Sequence, residues 1–246
     1  TGKVVPERIA AIVSGIAAGC EKAGCALVGG ETAEHPGLLE PDEYDLAGAG
    51  TGVVDADQLL GPDRVRAGDV VISMASTGLH SNGYSLARHV FFTVAGWKLD
   101  REVPEFGRTL GAELLEPTAI YALDCLALAR DASIELRAFT HITGGGIAEN
   151  TARVIPEHLA ATYDRSTWSL PVEMEFMAKM GGVPQADMER TWNCGIGMSA
   201  FVDPSVADLT LRSLAARGMK AWVAGVVSER EGSNPRSTLE GAYKAR

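Results

Sequence analysis

The chain has 246 residues, 46% of them hydrophobic and 22% charged, a balance that excludes a disordered or fibrous protein and suffices for a buried core. With 22 Lys and Arg against 32 Asp and Glu, the net charge is −10. That charge repels nucleic-acid phosphates and anionic lipid, so no nucleic-acid or membrane partner is expected.

No apolar run reaches the roughly 20 residues that cross a bilayer. The opening Thr1-Gly2-Lys3-Val4-Val5-Pro6 has neither an initiator Met nor the form of a secretory signal. A fragment, a processed form or a trimmed chain is therefore expected. Cys20, Cys25, Cys125 and Cys194 form no CxxC pair and no zinc-spaced cluster. They read as reduced, mostly packed thiols of a cytoplasmic protein.

In chain order, Ile9, Ile12, Val13, Ile16, Ala17 and Cys20 recur at helical spacing, with Pro6 suited to the first turn and Gly24 to the stop. Strands are expected over 25–28 and about 44–54, separated by a glycine-rich loop over 29–37. Residues 55–68 read as a connection. This places a boundary near Ala67, with 1–66 the remainder of one domain and 67–246 a second. One helix and two strands cannot close a core, so the first part must complete a domain with other sequence or with a partner.

Beyond it, strands are expected over 69–75, 136–142, 159–163, 196–202 and 220–227. Helices are expected over 84–94, 117–130, 147–154, 172–179 and 206–217. This alternation predicts an α/β (mixed α+β) domain with a mixed sheet and packed helices. The polar tail over 231–246 is expected to be mobile.

Four glycine-rich turns lie beside predicted strands, where open α/β sheets hold ligands. In Gly29-Gly30-Glu31-Thr32 the glycines permit close backbone approach, and Glu31 offers the hard oxygen that Mg²⁺ prefers. A tight turn with a solvated Glu fits equally well. The stretch from Ser76 through Thr77, Gly78, His80, Ser81 and Asn82 to Ser85 runs from a strand into a helix and is dense in anion-binding groups. His80 is a candidate for proton transfer; a simple helix entrance capped by Ser81 or Asn82 is the alternative.

Thr143-Gly144-Gly145-Gly146, followed by Glu149-Asn150, spends three flexible residues where a backbone could wrap phosphate. His141 before it reads as core or ligand. In Asn193-Cys194-Gly195 the amide offers both donor and acceptor, and Cys194, lacking a basic partner, reads as packing. No P-loop, HExxH or GxSxG motif is present.

Taken in order, Gly-Gly-Glu-Thr-Ala-Glu-x-Pro-Gly, His-Ser-Asn-Gly-Tyr-Ser, Thr-Gly-Gly-Gly-x-x-Glu-Asn and Asn-Cys-Gly-x-Gly-Met resemble the phosphoribosylformylglycinamidine cyclo-ligase (AIR synthetase) family, over residues 6 to about 227. The resemblance implies a two-domain AIR-synthetase-like fold, with a truncated N-terminal ATP-binding and dimerisation domain and a complete C-terminal domain. It implies ATP-dependent closure of formylglycinamidine ribonucleotide to aminoimidazole ribonucleotide, with release of ADP and phosphate, in purine biosynthesis.

ATP and Mg²⁺ are the implied cofactors and a homodimer the implied assembly. By the same resemblance Gly29, Gly30, Glu31 and Thr32 would bind Mg²⁺-ATP, with Glu31 on the metal. Ser76, Thr77, Gly78, Ser81, Gly144, Gly145, Gly146, Asn150 and Asn193 would hold substrate or phosphate. His80 and Asn82 would act in catalysis.

The family pattern also has an Asp-Gly-x-Gly-Thr-Lys block and an acidic block ending in Asn-Asp, neither present here, so impaired activity of this chain alone is expected. His35 stands where the family commonly has Met. The alternatives are another ATP-dependent enzyme of the superfamily and a non-catalytic phosphate-binding or dimerising fragment.

Overall fold

The structure, a computed structural model, describes residues 1–246. The chain divides into two compact units, Thr1–Leu59 with Ile120–Leu123, and Leu60–Ala119 with Asp124–Arg246.

In the first unit, helix α1 spans Pro6–Ala23. Pro6 supplies a preset φ at the start, Glu7 and Lys22 complement the helix dipole, and Gly24 closes the helix at φ 69° by donating to the carbonyls of Cys20 and Glu21. The N-terminus is tied down by hydrogen bonds from Gly2 N to Glu43 O (3.0 Å) and from His35 N to Thr1 O (2.9 Å). Arg8 pairs with Asp42 at 2.8 Å.

The strands expected over 25–28 and 44–54 do not form; neither segment pairs with another. A strand exists only as part of a hydrogen-bonded ladder, and apolar composition does not supply the partner. No residue before Leu60 is buried, and Val28 and Val53 are 95% and 100% exposed.

The second unit is built on six strands. They are β1 (Val70–Ala75), β4 (Leu136–His141), β5 (Leu159–Asp164), β6 (Ile196–Val202), β7 (Ala221–Glu229) and β8 (Ser237–Glu240), in the order β4-β6-β1-β7-β5-β8. All pairs are antiparallel except β5 with β8. The mixed α/β architecture matches the sequence expectation.

Val71 joins the large apolar cluster on one face, with Phe201, Ile147, Met174, Met177 and Trp192. Ile72 and Met74 alternate to the other face, and helix α8 (Ala207–Ala216) packs on β1 and β7. Polar groups inside the sheet are paired: Ser73 Oγ lies 2.9 Å from Ser199 Oγ, and Tyr163 OH lies 2.8 Å from Thr151 Oγ1.

Several expectations are corrected. The helix over 84–94 is an α-helical stretch, α2 (Tyr84–Arg88), running into a π-helical turn over His89–Val94. The helix over 117–130 begins only at Ala122, as α4 (Ala122–Arg130). Pro117 disfavours helical φ/ψ at Glu116, and the Pro117 carbonyl instead accepts from Thr77 Oγ1 at 2.7 Å. The tail is ordered. β8 pairs with β5, and Tyr243 packs edge-on against Trp168 with centroids 5.4 Å apart.

The sequence reading also passed over a two-residue hairpin, β2 (Glu102–Val103) with β3 (Arg108–Thr109), and helices α3 (Leu110–Leu114) and α7 (Gln185–Thr191). α3 is capped by Thr109 Oγ1, which accepts from Ala112 N at 3.2 Å. The hairpin carries Phe106 into an aromatic cluster with Phe91, Trp97 and Phe176.

Candidate functional site

Strand directions gather the glycine turns. β1 and β4 both run antiparallel to β6, so the C-terminal ends of β1 and β4 share a sheet edge with the N-terminal end of β6. The turns Ser76–Gly83, Thr143–Gly146 and Asn193–Gly195 therefore meet at one edge of the second unit.

Asn193 is the link. Its Nδ2 donates to Gly78 O at 2.7 Å while its Oδ1 accepts from Gly195 N at 2.8 Å. Ser76 N donates to Gly195 O at 3.0 Å. Cys194 between them holds φ 49° and is fully buried, and burial pushes its thiol up to about 12. It packs, as its lack of a basic partner implied.

The loop after β1 is tightly wound. His80 sits at φ 59° and is buried; its Nε2 accepts from Thr77 N at 3.1 Å. An accepting Nε2 puts the neutral ring's proton on Nδ1. Burial first, and the nearby His141 second, lower its pKa from 6.5 to about 4, so the ring is neutral near pH 7. Ser81 Oγ lies 3.3 Å from Thr118 Oγ1.

Trp192, which sequence reasoning missed, closes the loop from below: its Nε1 donates to Gly83 O at 3.2 Å. A Cβ on Gly83 would lie 2.2 Å from Trp192 Cδ1. The only local signal was its place beside Asn193.

The turn after β4 is organised by Asn150. Its Nδ2 donates to the carbonyls of Thr143 (3.2 Å), Gly144 (3.1 Å) and Gly146 (2.8 Å), and its Oδ1 accepts from Thr143 Oγ1 at 3.0 Å. Four contacts from one buried amide fix the turn's carbonyls inward. A Cβ on Gly144 would lie 3.3 Å from Asn82 Oδ1, so this turn and the β1 loop lie close together. The main-chain N–H groups of Ser81, Gly144 and Gly145 make no hydrogen bond within the chain. Such a set of amides is suited to an anion.

Gly29, Gly30, Glu31 and Thr32 belong to the first unit, where all four are exposed and no atom comes within 4 Å of a Cβ built on Gly29 or Gly30. No group of three His, Cys, Asp or Glu side chains is assembled as a metal site. Glu31 by itself does not meet the several-oxygen requirement of Mg²⁺.

Residues 66–236 match the family described as AIR synthase related protein, C-terminal domain, and residues 1–54 match its N-terminal counterpart. A phosphoribosylformylglycinamidine cyclo-ligase of Alkaliphilus oremlandii is 45% identical over 229 residues, covering 93% of this chain and 67% of that protein. One of Agathobacter rectalis is 44% identical over 235 residues, covering 94% of this chain and 67% of that protein. The chain thus spans about two thirds of the length of these relatives.

Among solved structures, thiamine-monophosphate kinase from Stenotrophomonas maltophilia superposes with a TM-score of 0.62 at 16% identity, covering 98% of this chain and 69% of that one. The hydrogenase maturation protein HypE of E. coli does so with 0.59 at 20% identity, covering 97% and 66%. Those two share the fold. With the ordered glycine turns and the extent of the match, the chain belongs to the phosphoribosylformylglycinamidine cyclo-ligase family.

Proposed function

We propose that this chain is the part of a purine-biosynthetic cyclo-ligase that holds the substrate and its phosphate groups. In the reaction, ATP phosphorylates the formamide oxygen of formylglycinamidine ribonucleotide, a substrate nitrogen attacks that carbon, and phosphate leaves as the imidazole closes. The products are aminoimidazole ribonucleotide, ADP and phosphate. The observation that carries the reading is the convergence of the β1, β4 and β6 turns with unpaired amides at Ser81, Gly144 and Gly145.

These amides bind a phosphate or the charge developing on the formamide oxygen. Ser76, Thr77 and Gly78 shape the β1 loop; Asn193 ties down the Gly78 carbonyl, and Asn150 ties down the carbonyls of the β4 turn. Neutral His80, with its proton on Nδ1, donates rather than abstracts at neutral pH. Asn82 orients substrate beside Gly144. Gly29, Gly30, Glu31 and Thr32 serve the nucleotide. Glu31 does not form a Mg²⁺ site alone, and no step is assigned to the metal.

A homodimer belongs to the same reading, supported by the uncovered Val28 and Val53 of the first unit. Reduced turnover by this chain alone belongs to the same reading, since Glu31 alone offers too few oxygens for Mg²⁺.

The test incubates the chain, and separately the full-length Alkaliphilus relative, with formylglycinamidine ribonucleotide, ATP and Mg²⁺. Formation of ADP and aminoimidazole ribonucleotide is followed, together with binding of the ribonucleotide. Turnover by the relative with ribonucleotide binding by the chain supports the proposal. Absence of both turnover and binding by the chain, beside an active relative, overturns it.

A further inference from the structure

Next to the turns, at the same end of the sheet, lies an open cleft of about 470 Å³. Its walls come from Ser76 and Gly195, from the segment around Trp168, from the start of β7 at Lys220 and Trp222, and from Lys244 and Arg246 of the tail.

Three cations meet here in a chain of net charge −10. Lys220 and Lys244 enter no ion pair with any carboxylate. Arg246 is partly compensated: it donates to the Leu170 carbonyl and its charge is felt by Glu173 and Glu175. The uncompensated positive charge is therefore that of the two lysines.

Two polar atoms of the wall, Ser76 Oγ and Trp222 Nε1, are buried without a hydrogen-bond partner. Such groups are costly unless something satisfies them. Trp168 and Trp222, with ring centroids 6.2 Å apart, add flat apolar surface.

The walls are held by contacts that do not need a ligand. Trp168 Nε1 donates to Cys194 O at 2.9 Å, Lys244 N donates to Trp168 O at 3.0 Å, and Ala75 N donates to Lys220 O at 2.9 Å. The pocket is thus pre-formed, and its chemistry combines two free ammonium groups, a hydroxyl, an indole N–H and an aromatic wall.

We propose that this pocket is a second anion site, taking a phosphate monoester carried on a flat ring. The phosphate lies between Lys220 and Lys244 and accepts from Ser76 Oγ and Trp222 Nε1. The ring lies against the indoles. The site stands on its own walls and does not depend on the cyclo-ligase reaction, although Ser76 and Gly195 place it beside that centre.

The probes are phenyl phosphate, inorganic phosphate and benzoate, titrated against the whole chain while indole fluorescence and heat are recorded. Saturable binding of phenyl phosphate, tighter than that of inorganic phosphate or benzoate, is expected, with a change in tryptophan emission. Lys220→Gln with Lys244→Gln should weaken it at least about tenfold, whereas Lys98→Gln, an exposed cation outside the pocket, should leave it unchanged.

Unaltered circular dichroism and melting temperature in the double variant show that the fold is kept. Equal affinity in the double variant overturns the proposal, as does the absence of saturable binding at millimolar probe. Neither readout requires turnover, so this site and the cyclo-ligase reading fail separately.

Discussion

Asn193 donates to Gly78 O at 2.7 Å and accepts from Gly195 N at 2.8 Å, so one buried amide joins loops 115 residues apart in sequence. Asn193→Ala leaves a buried carbonyl and a buried N–H unpaired. Losses of about 2–4 kcal/mol in unfolding free energy are expected from two such groups. Asn193→Asp keeps the acceptor but sets a buried carboxylate against Gly78 O, and should cost at least as much as Asn193→Ala at neutral pH. Urea unfolding of the three proteins gives the order; an Ala variant as stable as the parent would remove Asn193 from its linking role.

His80 makes a prediction with pH. Its folded pKa is about 4 against 6.5 ordinarily, lowered first by burial. As pH falls, the unfolded chain takes up this proton before the folded one does. The contribution is therefore full above about 6.5 and is lost as pH drops towards 4, on the order of 3 kcal/mol in all. Asn tolerates positive φ, so His80→Asn keeps the turn. Its melting temperature should depend less on pH across this window than the parent's, and equal slopes would refute the assignment.

The sequence carried whatever is decided within a few residues. Pro6 and Gly24 bracket α1 because caps act locally. The glycine turns were legible because their flexibility and polar groups are written side by side. Pairing between distant segments was not legible. Residues 25–28 and 44–54 look like strands but find no ladder, while the polar Ser237–Glu240 forms one because β5 offers a free edge. Trp192 under Gly83 was hidden for the same reason, since 109 residues separate them. The π-turn at His89–Val94 escaped notice because apolar spacing cannot resolve one inserted residue.

The tail is held by a buried-edge ion pair. Arg165 Nε and Nη2 lie 2.7 and 2.8 Å from the two Glu189 oxygens, and Tyr243 OH and Gln185 Nε2 donate to Oε1 at 2.9 and 2.8 Å. Burial alone would raise the Glu189 pKa, but these donors, Arg165 foremost, hold it low. Glu189→Gln strands the Arg165 charge and should cost about 3 kcal/mol. Tyr243→Phe removes one bond and should cost about 1 kcal/mol. Limited proteolysis after β7 should quicken in the same order, and unchanged cleavage in Glu189→Gln would show that the tail is pinned elsewhere.

The cysteines should react in an order set by burial. Cys25 is exposed, whereas burial pushes Cys125 and Cys194 up to about 12. Thiolate is the reactive form, so a disulfide reagent at pH 8 should modify Cys25 first and reach Cys194 only on unfolding. Rapid labelling of Cys194 in the folded chain, read by peptide mass, would contradict its packing role.

Two neighbouring glycines separate fold from site. Gly146 holds φ 68°, and a Cβ there would lie 1.7 Å from Glu189 O, a backbone atom that cannot rotate away. Gly146→Ala should therefore lose several kcal/mol, about 3 or more, from clash and left-handed strain together. Gly144 has no positive φ, and its Cβ would meet only Asn82 Oδ1 at 3.3 Å. Gly144→Ala should fold with a melting temperature close to the parent's, yet set a methyl against Asn82 Oδ1, next to the amide of Gly145. Formylglycinamidine ribonucleotide binding should then weaken roughly tenfold, about 1.4 kcal/mol. If Gly144→Ala binds the ribonucleotide as the parent does, the anion is held elsewhere, because a methyl on this turn would crowd an anion bound by the Gly144 and Gly145 amides.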